Sequence, residues 1–558
     1  MAAGVAAVDR ALSDGEAARA PLTVLGHSAG RVFVLPPSGQ LRALSGMNCE
    51  AGRGVRELVA GHDDATAWAA ELFPGKGGDV DAKALGLWIL DSAGRAGLFD
   101  PATADVRGLG VWREPGGRAV VHCGDALVRY SGGDTAEPGR CDGVASGAIY
   151  LAAPPTARPA AEPAEAREAA VLLRAIRAQW GWRCEHDAAA WLGWIGAAYL
   201  GGFPAWRSHL QVVGARGSGK STLAEIGVAL LGPMAGVGLV NGATEAGLRQ
   251  RLQGTARALL LDEFEADSAA SSKLTEILAL ARRSSGGAGG LVLRGGSDHA
   301  AQAFASRGPV AVSGIVPPPM SAADRSRFLR VDIDALPRTD PTVAASRLAA
   351  LRATAEELGP RLWARALAQA ERWDATVAAF NGAARALGAD HREADTLATI
   401  LAGLDLLTAD GPPEAERVNA AQARLTALLA AQSDAEEADD GLACLRHLLE
   451  AFVPSSPARL PRSIADVIAE AVQPADLDEA RRVLANFGLK VSPDGAELWV
   501  AGSHSQLARV FDGTRWHSGG WKAALLSIEG AAADKVRACG RQFRAVRVPL
   551  AGVWEREQ

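Results

Sequence analysis

One string limits what this chain can be more than any other. Residues 210–232, LQVVGARGSGKSTLAEIGVALLG, contain G-x-x-x-x-G-K-S at Gly214, Gly219, Lys220 and Ser221. An apolar strand (LQVV) feeds the loop and an amphipathic helix leaves it. That context separates a phosphate-binding loop from a glycine-rich turn. Glycines let successive backbone N–H groups curl around an anion, and the helix N-terminus adds partial positive charge. Gly214, Gly217, Ser218, Gly219, Lys220, Ser221 and Thr222 are therefore the candidate nucleotide-binding residues. Lys220 is placed to reach the β- and γ-phosphates of ATP and Ser221 to hold Mg²⁺. Lysine otherwise occurs only at Lys76, Lys83, Lys273, Lys490, Lys522 and Lys535, against an arginine-rich background, so Lys220 stands out.

A second string, ALLLDEFEAD, supplies what such a loop needs for hydrolysis. Ala258 to Leu261 read as a buried strand with Asp262 and Glu263 at its end, expected beside the loop strand. Asp262 is assigned to the metal and Glu263 to the attacking water. The paired acids favour a hydrolytic motor over a switch or a small-molecule kinase. A third strand, PVAVSGI at 309–315, brings Ser313 to the place of a γ-phosphate sensor. Arg325 and Arg327, in SAADRSRFLRVDID, precede a further strand. An arginine supplied there to a neighbouring subunit would stabilise charge on the transferred phosphoryl group.

Around this core the chain divides by composition. Its 558 residues allow about three domains. Residues 1–151 alternate short strands (TVLGH, RVFVLPP, RAVVHC) with helices near 65–73 and 81–98, an α+β domain. The stretch 152–165, AAPPTARPAAEPAE, reads as a Pro/Ala linker. Residues 166–336 alternate helix and apolar strand, as in a parallel-sheet α/β domain. Residues 337–432 read as helix, 433–441 (SDAEEADDG) as an acidic linker, and 442–558 as helices followed by a small sheet, in the manner of a winged helix. The fold class expected is thus α/β, a P-loop NTPase core with an N-terminal α+β domain and a C-terminal helical plus winged-helix-like region; the resemblance set out below makes that core AAA+-like.

A net charge of −6 argues against a uniformly basic coat but not against a basic channel. The six cysteines include no C-x-x-C pair, which suits a reducing cytoplasm. The opening MAAGVAAVDRALSDGEAARA has early acids and no apolar core, so no signal peptide is expected there. The most apolar run, AAAWLGWIGAAYLGGF at 188–203, is shorter than the ~20 residues of a spanning helix, so it reads as a buried helix with no membrane partner.

The span from about 190 to 335 resembles the ATPase of prophage- and plasmid-type primase–helicases, related to superfamily-three AAA+ helicases. The matching strings are WLGWIGAAYLGGFPAWRSHLQVVGARGSGKST, NGATEAGLRQRL, LLLDEFE, ILALARRSSGGAGGLVLRGG and ADRSRF. Fainter similarity touches VLGHSAGRVFVLPPSGQLRAL and LWVAGSHSQLARVFDGTRW. The resemblance implies ATP and Mg²⁺ at Lys220, Ser221, Asp262 and Glu263, and Arg327 ahead of Arg325 as the finger. It also implies a hexameric ring, with Arg294 on a hairpin that meets single-stranded DNA in the channel. Arg282 and Arg283 are the next DNA-contact candidates. One departure is Ser313, where related helicases carry Asn. No priming centre is evident, since Asp79 and Asp81 read as an acidic helix start, so a separate primase would be the partner. The resulting expectation is a DNA helicase motor for a phage, prophage or plasmid-like element, in the bacterial host cytoplasm. A DNA-dependent ATPase that does not unwind (a loader, transposition regulator or packaging motor) shares every residue named. A small-molecule P-loop enzyme fits less well.

Overall fold

The apolar run opens as a helix, Asp187–Tyr199, and all thirteen of the helix's residues are buried. Small residues let a second helix approach it. A Cβ on Gly193 or Gly196 would stand 2.3 Å and 2.2 Å from the carbonyl oxygens of Ile400 and Gly403 on helix His391–Thr408. The polar tips inside this packing are satisfied: Trp194 donates to Ser208 O at 3.1 Å and Tyr199 to Leu230 O at 2.8 Å.

The computed structural model describes residues 20–550, except 102, 132–133, 136–138, 141–143, 146, 242–246, 248–251, 253, 263–270, 287–291, 296–300, 305, 316–319, 335–340, 454–461, 474–476, 515 and 539–540. Its contacts divide the chain into two units, Met1–Thr426 and Ala427–Gln558.

In the first unit, strands β1 (Thr23–Ser28), β2 (Arg31–Leu35) and β3 (Arg42–Ser45) form an antiparallel sheet with helices α1 (Asp63–Leu72) and α2 (Ala82–Ala96). Asp81 caps α2, accepting from Lys83 N and Ala84 N, and Asp79 pairs with Arg56. These two acids therefore have structural roles. A second small sheet, β4 (Gly110–Arg113), β5 (Ala119–His122) and β6 (Ala126–Ser131), follows.

The main sheet is built from β7 (Gly181–Trp182), β8 (His209–Gly214), β9 (Ala235–Asn241), β10 (Ala258–Asp262), β13 (Val310–Gly314) and β14 (Phe328–Asp334). Between β10 and β13, strands β11 (Val292–Gly295) and β12 (Ala301–Phe304) pair as a separate antiparallel hairpin. The main sheet's order is β7-β14-β8-β13-β10-β9, with only β7 antiparallel. Strand β13 lies between the loop strand β8 and the acidic strand β10. This corrects the expectation that the acidic strand adjoins the loop strand: the two stand about 10 Å apart, two inter-strand spacings. Helices α3 (Ala166–Gln179), α4 (Asp187–Tyr199), α5 (Lys220–Leu231) and α6 (Ser271–Ser285) accompany the sheet.

Two expected linkers behave otherwise. Residues 152–165 have no regular structure but are tied down, with Ala160 N and Ala164 N donating to Pro360 O and Arg361 O. Proline cannot donate, but its neighbours can. The β4–β6 sheet is also joined to the core through Gly108 N to Gly254 O at 2.6 Å and Ala256 N to Leu109 O at 2.9 Å. Residues 337–432, read as helix throughout, give α7 (Pro341–Ala368), α8 (Trp373–Ala386) and α9 (His391–Thr408) before α10 (Ala415–Glu450) begins. The acidic run 433–441 lies inside α10, because the Ala- and Leu-rich flanks have high helix propensity and carry the helix through it.

The second unit continues from α10 through α11 (Ile464–Ala471) and α12 (Leu477–Asn486) to strands β15 (Leu489–Val491) and β16 (Glu497–Ala501). Then follow α13 (Ser505–Val510), α14 (Trp521–Leu526), β17 (Ala532–Ala538) and β18 (Arg541–Pro549). The sheet runs β15-β16-β18-β17, all antiparallel. Its core includes Leu445, Ile464, Ile468, Leu484, Leu498, Phe511, Trp521 and Val546.

Asp187 joins α4 to the sheet and gives the fold a pH dependence. Its Oδ2 accepts from Cys184 N and Asp332 N, both at 3.2 Å, while burial pushes the carboxyl up to about 7. The folded chain therefore holds this proton to higher pH than the unfolded chain. Stability from this group is full below pH ~4 and lost as pH rises through about 7. Asp187→Asn keeps an acceptor without the charge. Its urea-unfolding free energy should vary less between pH 5 and 7 than wild type's, by about 2 kcal/mol. Parallel pH profiles for the two proteins would contradict this assignment.

Candidate active site

The loop after β8 has the backbone its glycines suggest. Gly217 and Gly219 take φ of +79° and +88°, and Gly219 passes directly into α5. At Gly214 a Cβ would stand 2.4 Å from Ile333 O and 2.6 Å from Ser218 Oγ, so no larger residue fits. Lys220 Nζ donates to the carbonyls of Gly214 and Ala215 at 2.6 and 3.1 Å, which holds the ammonium over the loop. Ser221 is exposed in the first turn of α5, and Thr222 beside it is half-buried. Ser218 Oγ is buried with no hydrogen-bond partner. An orphaned hydroxyl in a curl of N–H groups at a helix start is what an oxyanion would satisfy.

Asp262 ends β10 and is 5% exposed. Ser313 Oγ donates to its Oδ1 at 2.5 Å, so the intervening strand holds the carboxylate from the side. Register puts Ser313 opposite Val212, one residue short of Gly314 opposite Val213. Loop, Asp262 and Ser313 thus share the carboxyl-terminal edge of the parallel strands, where open α/β sheets place ligands. Glu263 lies outside the described residues.

Arg325 and Arg327 are at the other edge. Phe328 pairs with His209, the first residue of β8, whereas the loop begins at its last, Gly214. Arg327 precedes Phe328, so six residue steps along the strands, about 20 Å, separate it from the loop. Arg327 cannot reach its own chain's loop. Its guanidinium donates to Ala323 O and lies 5.7 Å from the Trp206 ring. Burial, with Arg392 and Arg282 nearby, lowers its proton affinity. Arg282 is held by Asp324 through two bonds of 2.8 Å. Burial alone would raise the Asp324 carboxyl, but Arg282 and Ser321 outweigh it and keep it below the usual range. Arg282, a DNA candidate by sequence, is thereby engaged in bracing the segment that carries Arg325. Arg283 is half-buried on the same helix.

No protein-family model matches this chain, and neither does any curated protein. Two solved structures are similar along nearly their whole length. One, the active helicase Cch of SCCmec type IV, is 11% identical over 96% of this chain and 94% of its own, at a TM-score of 0.42. The other, the apo C-terminal region of NrS-1, is 11% identical over 95% and 97%, at a TM-score of 0.30.

Arg294 lies within β11, paired with Gln302, and not at the turn of the hairpin. Gly295 is the last residue of that strand, and Gly289, Gly290 and residues 296–300 lie outside the described residues. Two supporting residues were not legible in the sequence. Trp180 donates its indole N–H to Gly219 O at 3.1 Å, pinning the loop from α3. Trp206 packs on Arg327 and donates to Thr396 Oγ1 at 3.4 Å, while Thr396 donates to Ser326 O at 3.0 Å. The only signal was tryptophan beside glycine or arginine, in QWGW and AWRS.

Proposed function

We propose that this chain is an ATP-driven DNA helicase motor that works as a ring, probing DNA with the β11–β12 hairpin and completing each active site across a subunit boundary. The observation that carries the reading is the placing of a phosphate-type loop and the Asp262–Ser313 pair at one sheet edge, with Arg325 and Arg327 at the other. A P-loop core of AAA+ type accounts for that division of labour, and a hexamer is its ordinary closed form.

The loop N–H groups, Ser218 and Lys220 would hold the phosphates of ATP, and Ser221 and Asp262 would hold Mg²⁺. Bound together, these groups supply a transferable phosphoryl group and neutralise its charge. Ser313 keeps the Asp262 carboxylate turned to one side, and Glu263, next in sequence, is the base for the attacking water. Arg327, with Arg325 second, stabilises the phosphate charge of a neighbour. Arg294 and Arg283 are proposed to meet single-stranded DNA. The resemblance to prophage- and plasmid-type primase–helicases supports a role in replicating such an element in the cytoplasm of a bacterial host, with priming left to a separate protein.

A forked duplex with one labelled strand tests this. Strand release that requires ATP, with ATPase stimulated by single-stranded DNA and lost in Arg294→Ala, is the expected result. Stimulation without strand release would move the chain to the class of DNA-dependent ATPases that do not unwind. Hydrolysis indifferent to DNA would end the DNA-motor reading.

A further inference from the structure

The sheet of the second unit distributes its charge unevenly. On one face the cations are matched: Arg547 pairs with Glu497 at 3.2 Å, and Lys490 lies 5.6 Å from the ring of Trp499. Trp499 in turn donates to the Asp534 carboxylate at 2.8 Å. On the other face of the β17–β18 hairpin they are unmatched. Lys535 and Arg544 stand directly opposite each other in the antiparallel register, and both are exposed. Gly502, whose N–H donates to Arg544 O at 3.0 Å, has the stem of Lys522 beside it, 3.4 Å from the place of a Cβ. Lys522 is exposed as well. Among the described residues no carboxylate pairs with any of the three.

Like charges facing each other across two strands cost a few tenths to about 1 kcal/mol. A chain sparing with lysine nevertheless puts two of its lysines here. Three exposed cations gathered in one patch suit a polyanion better than a single small anion. The neighbouring Trp521 is buried and offers no face for stacking bases.

We propose that Lys522, Lys535 and Arg544 bind the phosphate backbone of duplex DNA, without sequence preference, as a contact distinct from that of the β11–β12 hairpin. This rests on the reading of the chain as a DNA motor. The test uses the full-length chain, a fluorescein-labelled 30-base-pair duplex and anisotropy titrations at several KCl concentrations. The variant is Lys522→Gln/Lys535→Gln/Arg544→Gln. Duplex affinity should fall about ten-fold or more, and the slope of log affinity against log salt should flatten by about 3, one for each lost phosphate contact. ATPase without DNA should be unchanged. The thermal midpoint should hold or rise, because the repulsion between Lys535 and Arg544 is relieved. If wild type binds the duplex and the variant matches it in affinity and slope, the hairpin is not the contact and the motor reading survives. If wild type shows no affinity for duplex or single strand, both fail.

Discussion

Lys220→Ala should abolish ATP hydrolysis, lowering turnover by on the order of 1,000-fold, while leaving the chain folded. The loss follows from what the side chain does. Lys220 projects its ammonium over the loop, steadied by the carbonyls of Gly214 and Ala215, and is the only lysine there. The spared fold follows from how little else it holds. It is only half-buried, and surface changes of this kind usually move stability by less than about 1 kcal/mol. Ser218→Ala makes a useful companion. Removing a buried hydroxyl that has no partner should not lower the melting temperature, yet nucleotide affinity should weaken, because the orphaned group is the one an oxyanion would satisfy. Radiolabelled ATP hydrolysis and calorimetric nucleotide binding read the two effects separately. Turnover by Lys220→Ala within ten-fold of wild type would remove this loop from the chemistry.

The sequence is informative where local pattern and chemistry coincide. Gly214, Gly219 and Lys220 could be assigned because a strand, a loop and a helix start must all be encoded within a dozen residues. The burial of 188–203 followed from apolarity alone. What escaped depended on strand order. Asp262 and Ser313 each ended an apolar run, but nothing local says that β13 enters the sheet between β8 and β10 and so brings Ser313 Oγ onto Asp262. The acidic run 433–441 misled for a related reason. Its charge suggested a break, while the helix propensity of its flanks decided the conformation. Trp180 and Trp206 act on residues far away in sequence, so no spacing rule could announce them.

Arg327→Ala should be nearly inactive alone yet regain activity when mixed with Lys220→Ala. The two residues lie at opposite edges of the same sheet, about 20 Å apart along β8, so neither can compensate for the other within one chain. In a ring, each complete site would take its loop from one subunit and its arginine from the next. A finger of this kind is worth about 1,000-fold or more in turnover. Subunits mixed in equal amounts and exchanging freely should place an intact loop beside an intact arginine at roughly a quarter of interfaces, restoring about a quarter of wild-type ATPase. Arg327→Ala also loses its contact with the Trp206 ring, worth about 0.5–1 kcal/mol at a partly exposed site, so the variant should remain folded. Arg325→Ala belongs in the same experiment. Rescue by Arg325→Ala and not by Arg327→Ala would transfer the finger to Arg325. A mixture no more active than its components, at concentrations where wild type assembles, would mean that each site is completed within its own subunit. Arg325 and Arg327 would then belong to the frame formed by Asp324, Arg282 and Trp206, and the case for a ring would lose its main support.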